Sequence, residues 1–481
     1  MTDTALPTES FDTPSRLSLY AALGGTFLLR TAGGIMGILT GLFLATKNAE
    51  LGAVDHPFHI SATLAGVIIA SFFVTELGGS FVSGGLIDRH GPRRYMVLGP
   101  LFGAAAMIAT GLLHLQADSS TLQFLLFLAM LVGARLLEGS AAAAANPASL
   151  AYIATYTSHD PKLRSRVSGY FELATLIGSI VGFVFGGRLW DQFGQGAFLL
   201  NTLVYLASAL VFLSVHSIKT QQTSPSSNAG FISLIKIKHS LNAYRKLVVS
   251  PRLRELIPAW LAVSALLGVL FNHATFQLSS AQPRGLSEIP HGDIIRFPGH
   301  TLSHAFSGSQ VGSVFGIYAL AFGAGILIWT LIIPRMRKST AMLISAFGVI
   351  ATSLVIIAIN HTGPITEPSP LRLILVVLMI FAVMVESGFT PAALIYLSDI
   401  GDAHADNRGM IMGLYSFLFG FGQLGGTIIA GPFADWQGID GLLIFMIILG
   451  VICIFAVGLL RRDEETTHEG LTPTASEPAH L

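Results

Sequence analysis

Cysteine is nearly absent: Cys453 is the only one in 481 residues, and it sits inside an apolar run. Disulfides within the chain and cysteine-based metal or redox centres are therefore excluded. Charge is scarce as well. The 27 basic and 27 acidic residues make up 11% of the chain, where a soluble globular protein carries roughly 25%. They cancel to a net charge of zero, and the basic ones are scattered, which leaves no footprint for nucleic acid. A Gly-x-x-x-x-Gly-Lys-Ser/Thr loop does not occur, so the chain has no phosphate cradle for driving anything with ATP. Residues 1–16 carry acids where a secretory signal would be basic, and a cleaved signal is not expected. Within the apolar runs no nucleophile–base pair or metal-ligand cluster stands out. The expectation is a protein without enzymatic activity, cofactor or metal.

What the chain has instead is apolar length. Hydrophobic residues reach 52%, with a mean hydropathy of +0.67. A soluble protein of this size needs far more polar surface. The runs are unbroken over about 20 residues, the length of a membrane-crossing helix. Their lack of alternation excludes an outer-membrane barrel. Twelve such runs lie near 17–44, 61–84, 95–115, 122–156, 165–188, 196–216, 256–279, 311–333, 340–360, 371–397, 409–432 and 441–460. The fourth and tenth are long.

Assigning the connections to alternate sides tests this scheme. One side collects 20 of the 27 Lys and Arg, among them Arg89, Arg93, Arg94, Lys162, Arg164, Arg335 and Arg461. The other side has Lys47, Arg188, Arg284, Arg296 and Arg372, while Arg30 and Arg135 fall within spans. The bias predicts that both termini and the central loop face the cytoplasm. The domains predicted are a tail at 1–16, a six-helix bundle at 17–216, a central loop at 217–255, a second bundle at 256–460 and a tail at 461–481. After a Thr/Ser/Pro/Asn-rich linker, the central loop reads as a basic amphipathic helix on the membrane surface. It serves equally as a plain tether. The outside loop 280–310 carries His291, His300 and His304 at a spacing that matches no known ligand pattern, and it reads as solvated.

The two bundles repeat each other. Adding 244 takes Pro147 to Pro391, Tyr152 to Tyr396, Arg164 to Arg408 and Gly169 to Gly413. It also takes Gly178 to Gly422, Gly182 to Gly426, Gly187 to Gly431, Asp191 to Asp435 and Gly194 to Gly438. A parallel repeat of two six-span halves is the plan of one large class of secondary transporters. Gly178, Gly182 and Gly186 sit four apart on one helix face, where missing side chains let a neighbour approach closely. Rocking of one helix on another and ordinary tight packing both use such a face.

Between the second and third runs stands Gly84-Gly85-Leu86-Ile87-Asp88-Arg89-His90-Gly91-Pro92-Arg93-Arg94. This resembles the signature of the major facilitator superfamily, roughly Gly-x-Leu-Ala-Asp-Arg-x-Gly-Arg-Arg, in the same loop. Gly84, Leu86, Asp88, Arg89, Gly91 and Arg93 match it, and the resemblance extends over residues 17–462. It implies an all-α membrane protein of twelve helices, in two six-helix bundles related by a pseudo-two-fold axis. It also implies that Asp88 sits at the cytoplasmic end of the second span and latches onto the start of the eleventh, near Arg408 and Gly409. A carboxylate there stabilises the positive end of that helix. Pro92 stands where the family often has a basic residue, so the latch is expected to lean on Arg93. Two shorter stretches add to the likeness. Arg135-Leu136-Leu137-Glu138-Gly139 is similar to the family's Arg-x-x-x-Gly element, often linked to proton coupling. Gly178 to Gly187 resembles the Gly-x-x-x-Gly-Pro-x-x-Gly-Gly element typical of antiporters, with Phe183 in place of the proline.

Charges within spans are costly, about 2.5–3.5 kcal/mol or more each, and mark candidate sites. Arg30 lies fourteen residues after Arg16, about 21 Å along the helix and near mid-membrane. It is read either as a site for an anionic group or as one half of a structural salt bridge, for instance with Glu76. Arg135 and Glu138 are three apart and can pair on one face, as structure or as a proton or substrate site. Glu386 has no basic neighbour at three or four residues. A buried carboxyl without a cationic partner is the kind of group that takes up and releases a proton; a hydrogen-bonded neutral acid is the alternative. Glu76 and Glu172 belong with gating or packing networks. Asn272, His273 and Gln277 form a polar patch in the seventh run, read as cavity lining or as inter-helix hydrogen bonding. The reading is a secondary active transporter in the cytoplasmic membrane, acting as a monomer by alternating access. Proton-coupled efflux of a small organic solute ranks first. Uptake of an organic anion, flipping of an anionic lipid, and a transporter-like receptor that moves nothing are the alternatives.

Overall fold

The computed structural model describes residues 16–52, 58–115, 120–157, 161–216, 251–279, 299–303, 306–403 and 408–469. The proposed amphipathic helix of the central loop, together with His291 and His304, lies outside them. The described residues are helical nearly throughout. In the first half α1 spans Arg16–Gly52, α2 Ala62–His90, α3 Pro92–Gly111, α4 Thr121–Tyr156, α5 Pro161–Phe193 and α6 Gly196–Leu213. The second half begins with α7, which passes from Pro251–Gly268 through a π-helical turn at Val269–His273 into Ala274–Leu278. There follow α8 (Gly308–Ile332), α9 (Lys338–Asn360) and α10, in two pieces at Pro370–Glu386 and Phe389–Ala403. The last helix pair, α11 (408–436) and α12 (439–469), is joined across non-helical backbone at Gln437 and Gly438.

Large apolar side chains such as Leu122, Leu126, Leu210, Leu327, Leu373 and Phe455 stand exposed on the outer faces, as they do when lipid covers them. The long fourth run is one helix of 36 residues. The tenth is divided, because Ser387 and Gly388 interrupt it. The indole of Trp329 on α8 donates to the carbonyls of Met384 (3.1 Å) and Val385 (3.2 Å), which the break deprives of helix partners.

Repeated residues build repeated turns. Gly194 ends the α5 hairpin turn at φ 55°, and Gly438, 244 positions later, turns α11 into α12 at φ 58°. Residues with a Cβ rarely adopt that conformation. Each half is held by close pairs, α1 along α5, α3 along α4 and α6, α7 along α11, and α9 along α10. The halves meet where α2 crosses α11 and where α5 crosses α8.

Candidate functional site

The loop signature first serves the backbone. Gly91, at φ 83°, closes α2 by donating its N–H to Ile87, 2.8 Å away. Pro92 then starts α3 at the helical position where its missing N–H costs nothing. Arg93 donates to the carbonyl of Leu213 at the end of α6, 2.6 Å away, which ties it within its own half rather than to α11. Arg89 and Arg94 are exposed. The side chains of Asp88 and Arg408 lie outside the described residues.

Four helices of the first half bring their charges together. Arg135 and Glu138 on α4 are buried and ion-paired. The guanidinium also approaches the carbonyl of Ile69 (3.4 Å) and lies over the Phe72 ring, 5.3 Å from its centre. Arg30 on α1 faces Glu76 on α2 and Glu172 on α5. Among the described residues it forms no salt bridge within 4.0 Å, and its buried Nε has no hydrogen-bond partner. The structural bridge to Glu76 anticipated as one alternative is thus not closed within 4.0 Å.

In the second half Glu386 ends the first piece of α10, 6% exposed. Tyr318 of α8 donates its hydroxyl to Glu386 Oε1. Thr352 on α9 also faces the carboxyl, yet Thr352 Oγ1 and Glu386 Oε2 are both buried without a partner. A small pocket opens beside them, lined by Leu267, Leu270, Tyr318, Phe322, Val349 and Thr390 among others. Aromatic rings lead from it to the other half. Phe271 packs on Tyr318 and stacks on Phe183 of α5, with centroids 5.6 Å apart in each pair. Phe315 closes the triangle. Phe183, the departure from the antiporter-like element, is therefore the ring by which α5 joins this cluster.

Beyond the rings, at the end of the bundle opposite Arg16 and Arg462 (the distal end), the halves are clamped twice. Asp435 at the end of α11 accepts from the N–H groups of Ala62 (2.7 Å) and Thr63 (3.0 Å), and from the Thr63 hydroxyl, at the start of α2. Asp191 at the end of α5 accepts from Gly308 N (2.7 Å) and Ser309 N (2.8 Å) at the start of α8. Each carboxylate thus meets the positive end of a helix from the opposite half. Gly187 and Gly308 lie backbone to backbone beside one clamp, with no room for a Cβ at Gly187; Gly431 fits against Thr63 beside the other. These aspartates were visible in the sequence only as a repeated pair. Their partners are 117 and 373 residues away, so no local spacing revealed the role.

His273 is fully buried, not cavity lining. Its Nε2 hydrogen-bonds the carbonyl of Ala62 (3.0 Å), and Asn272 donates to Thr427 (3.3 Å). The π-helical turn shifts the register, so both residues serve the junction with α2 and α11. Gln277 is buried in the same stretch. Gly178, Gly182 and Gly186 lie against the α1 backbone from Phe27 to Ile35, and Gly422 and Gly426 lie against Leu261 to Ala265 of α7. Outside the spans, burial and the adjacent His361 ring hold the His300 imidazole below its ordinary value, against the pull of Asp440.

The Major Facilitator Superfamily model matches residues 22–295 and 294–481. Multidrug resistance protein 1 of Bacillus subtilis is 28% identical over 193 residues, 39% of this chain and 46% of that protein. The arabinose-proton symporter of the same organism is 26% identical over 157 residues, 33% of this chain and 31% of that one. The matches therefore span less than half the length of these relatives. Among solved structures, the nucleoside transporter NupG superposes with a TM-score of 0.61 at 14% identity, covering 91% of this chain and 98% of that one. That likeness is one of fold.

Proposed function

Because the chain belongs to the major facilitator superfamily of transporters, we propose that it exports a small organic solute against protons by alternating access, as a monomer in the cytoplasmic membrane. The observation that carries the proton part is Glu386: a buried carboxyl with a tyrosine donor, no basic partner and an open pocket beside it. Such a group binds a proton or gives it up according to what else occupies the pocket. Export is supported by the antiporter-like glycine element and by the likeness to a multidrug resistance protein. The proposed cycle alternates the clamped distal end with a clamped cytoplasmic end, where Asp88 is the proposed latch. The sidedness follows from the distribution of basic residues. Gly178, Gly182, Gly186, Gly422 and Gly426 supply the smooth contacts on which α5 and α11 rock. Arg135 and Glu138 hold α4 in shape against α2.

The test is proton release. Solute added to the purified protein in weakly buffered solution should release protons from the wild type and not from Glu386→Gln, and solute flux into proteoliposomes should lose its dependence on pH. An unchanged pH profile in Glu386→Gln removes this residue as the coupling group.

One observation favours a second reading. The Arg30 guanidinium has a buried, unpartnered Nε and no ion pair within 4.0 Å among the described residues, which suits an anionic solute or an anionic lipid headgroup. Uptake coupled to protons then replaces export; the likeness to an arabinose-proton symporter is compatible with it.

A further inference from the structure

We infer that His300, His361 and Asp440 form a binding site for one divalent transition-metal ion of the zinc class at the distal end of the second half. The three residues come from three segments: the short stretch before α8, the residue after α9, and the first turn of α12. Their ligand atoms lie within 4.8 Å of one another. His361 Nε2 is 2.8 Å from Asp440 Oδ2, His300 Nδ1 is 3.9 Å from the same oxygen, and the two rings are 4.2 Å apart. His361 Nε2 and Asp440 Oδ2 are in direct hydrogen-bond contact, and a metal ion takes the place of that contact. Zinc bonds of about 2.0–2.2 Å to nitrogen and oxygen place neighbouring ligand atoms about 3.3 Å apart, so His361 Nε2 and Asp440 Oδ2 must open and His300 Nδ1 must close on them, each by about half an ångström, a motion that the half-exposed His361 ring can share.

The surroundings aim the donors. Asn360, nearly fully buried, donates to Asp440 Oδ1 (2.9 Å) and approaches His300 Nδ1 (3.3 Å), while its oxygen accepts from Leu302 N (2.8 Å). One carboxylate oxygen is thereby occupied and Oδ2 is turned toward both imidazoles. The Asn360 amide reaches the same His300 Nδ1 that a metal ion would take, so binding of the ion displaces this long contact and leaves Asn360 on Asp440 Oδ1. The loop after His361 is stiff, since Arg372 donates to the carbonyls of Gly363, Pro364, Ile365 and Glu367. Thr301 adds a bond to the Gly363 carbonyl (2.5 Å), which fixes the His300 segment to that loop. Outer contacts of this kind fix ligand orientation in metal sites. Two imidazoles and one carboxylate suit Zn²⁺, Co²⁺, Ni²⁺ or Cu²⁺; Ca²⁺ and Mg²⁺ demand oxygen. In sequence the ligands stand 61 and 79 residues apart, so no ligand spacing betrayed them.

Full-length protein in detergent, stripped by chelator, is titrated with Zn²⁺ by calorimetry and followed by thermal unfolding, with Co²⁺ as a visible-absorption probe. The expected result is one saturable Zn²⁺ per chain and a raised unfolding midpoint, with no effect of Ca²⁺ or Mg²⁺ at the same concentration. His361→Ala and Asp440→Asn should each weaken binding by about tenfold or more and alter the Co²⁺ bands. His361 is half exposed, so His361→Ala should match the wild type in metal-free unfolding, which separates loss of ligand from loss of fold. Absence of saturable binding, equal stabilisation by Ca²⁺, or unchanged affinity in the His300→Ala/His361→Ala double variant overturns the assignment.

Discussion

Arg30 and Glu386 sit in opposite halves with opposite formal charge, and neither has an ion partner within 4.0 Å among the described residues. A charge held in that way inside a bundle needs a ligand, a proton or water. Each therefore reports on what the cavity receives. A solute panel sorted by charge distinguishes them by thermal stability. A ligand at 100 times its dissociation constant adds about 2.7 kcal/mol. Under the anionic reading, organic anions should stabilise the wild type and lose that effect in Arg30→Gln. Under the export reading, cationic or neutral solutes should stabilise both proteins alike. Arg135 shares a buried, unpartnered Nε with Arg30 but is ion-paired to Glu138 and also touches Ile69 and Phe72, so it is the missing ion pair, and not charge burial alone, that singles out Arg30.

At the scale of the helix, the interruptions matter most. α10 breaks immediately after Glu386, and α7 widens into a π-helical turn at Val269–His273. Both place irregular backbone at membrane depth, where freed groups must be satisfied by protein. Trp329 meets that demand in α10. Trp329→Phe keeps the apolar ring and removes the donor, leaving the Met384 carbonyl to the Ser387 hydroxyl (2.8 Å) and the Val385 carbonyl to the long Gly388 N–H contact (3.5 Å). The expected cost is about 0.5–1.5 kcal/mol, read as a lowered unfolding midpoint. An unchanged midpoint means that water or a neighbouring hydroxyl replaces the indole.

For the whole molecule, two carboxylates related by the repeat hold the distal end shut. Asp191 and Asp435 each accept from two backbone N–H groups at a helix start. Charge-assisted bonds of this type are about twice as strong as neutral ones. Replacing both by Asn should shift the population toward the distally open form, by about tenfold for each 1.4 kcal/mol lost. Spin labels on the distal ends of the two halves would show longer distances in the double variant. Distances that stay at wild-type values assign the clamps to helix capping alone. The glycines beside them point the same way, because only a backbone-to-backbone fit leaves the carboxylates within reach.

The sequence by itself determined the apolar helices, the repeat that groups them into two halves and matches Gly194 to Gly438, and the pairing of Arg135 with Glu138. These rest on apolar length, on a repeat and on spacing of three along one helix, all of which are local or periodic properties. It also marked Glu386 as lacking a basic neighbour, since that could be read along its own helix. Only the tertiary structure decided what lies across from each group. Tyr318 as the partner of Glu386, the aspartate clamps, the role of His273 at a junction, and the meeting of His300, His361 and Asp440 join residues 61 to 373 positions apart or depend on a π-helical turn. Such pairs are fixed by how helices cross, and crossing is set by packed surfaces that no single stretch of chain contains.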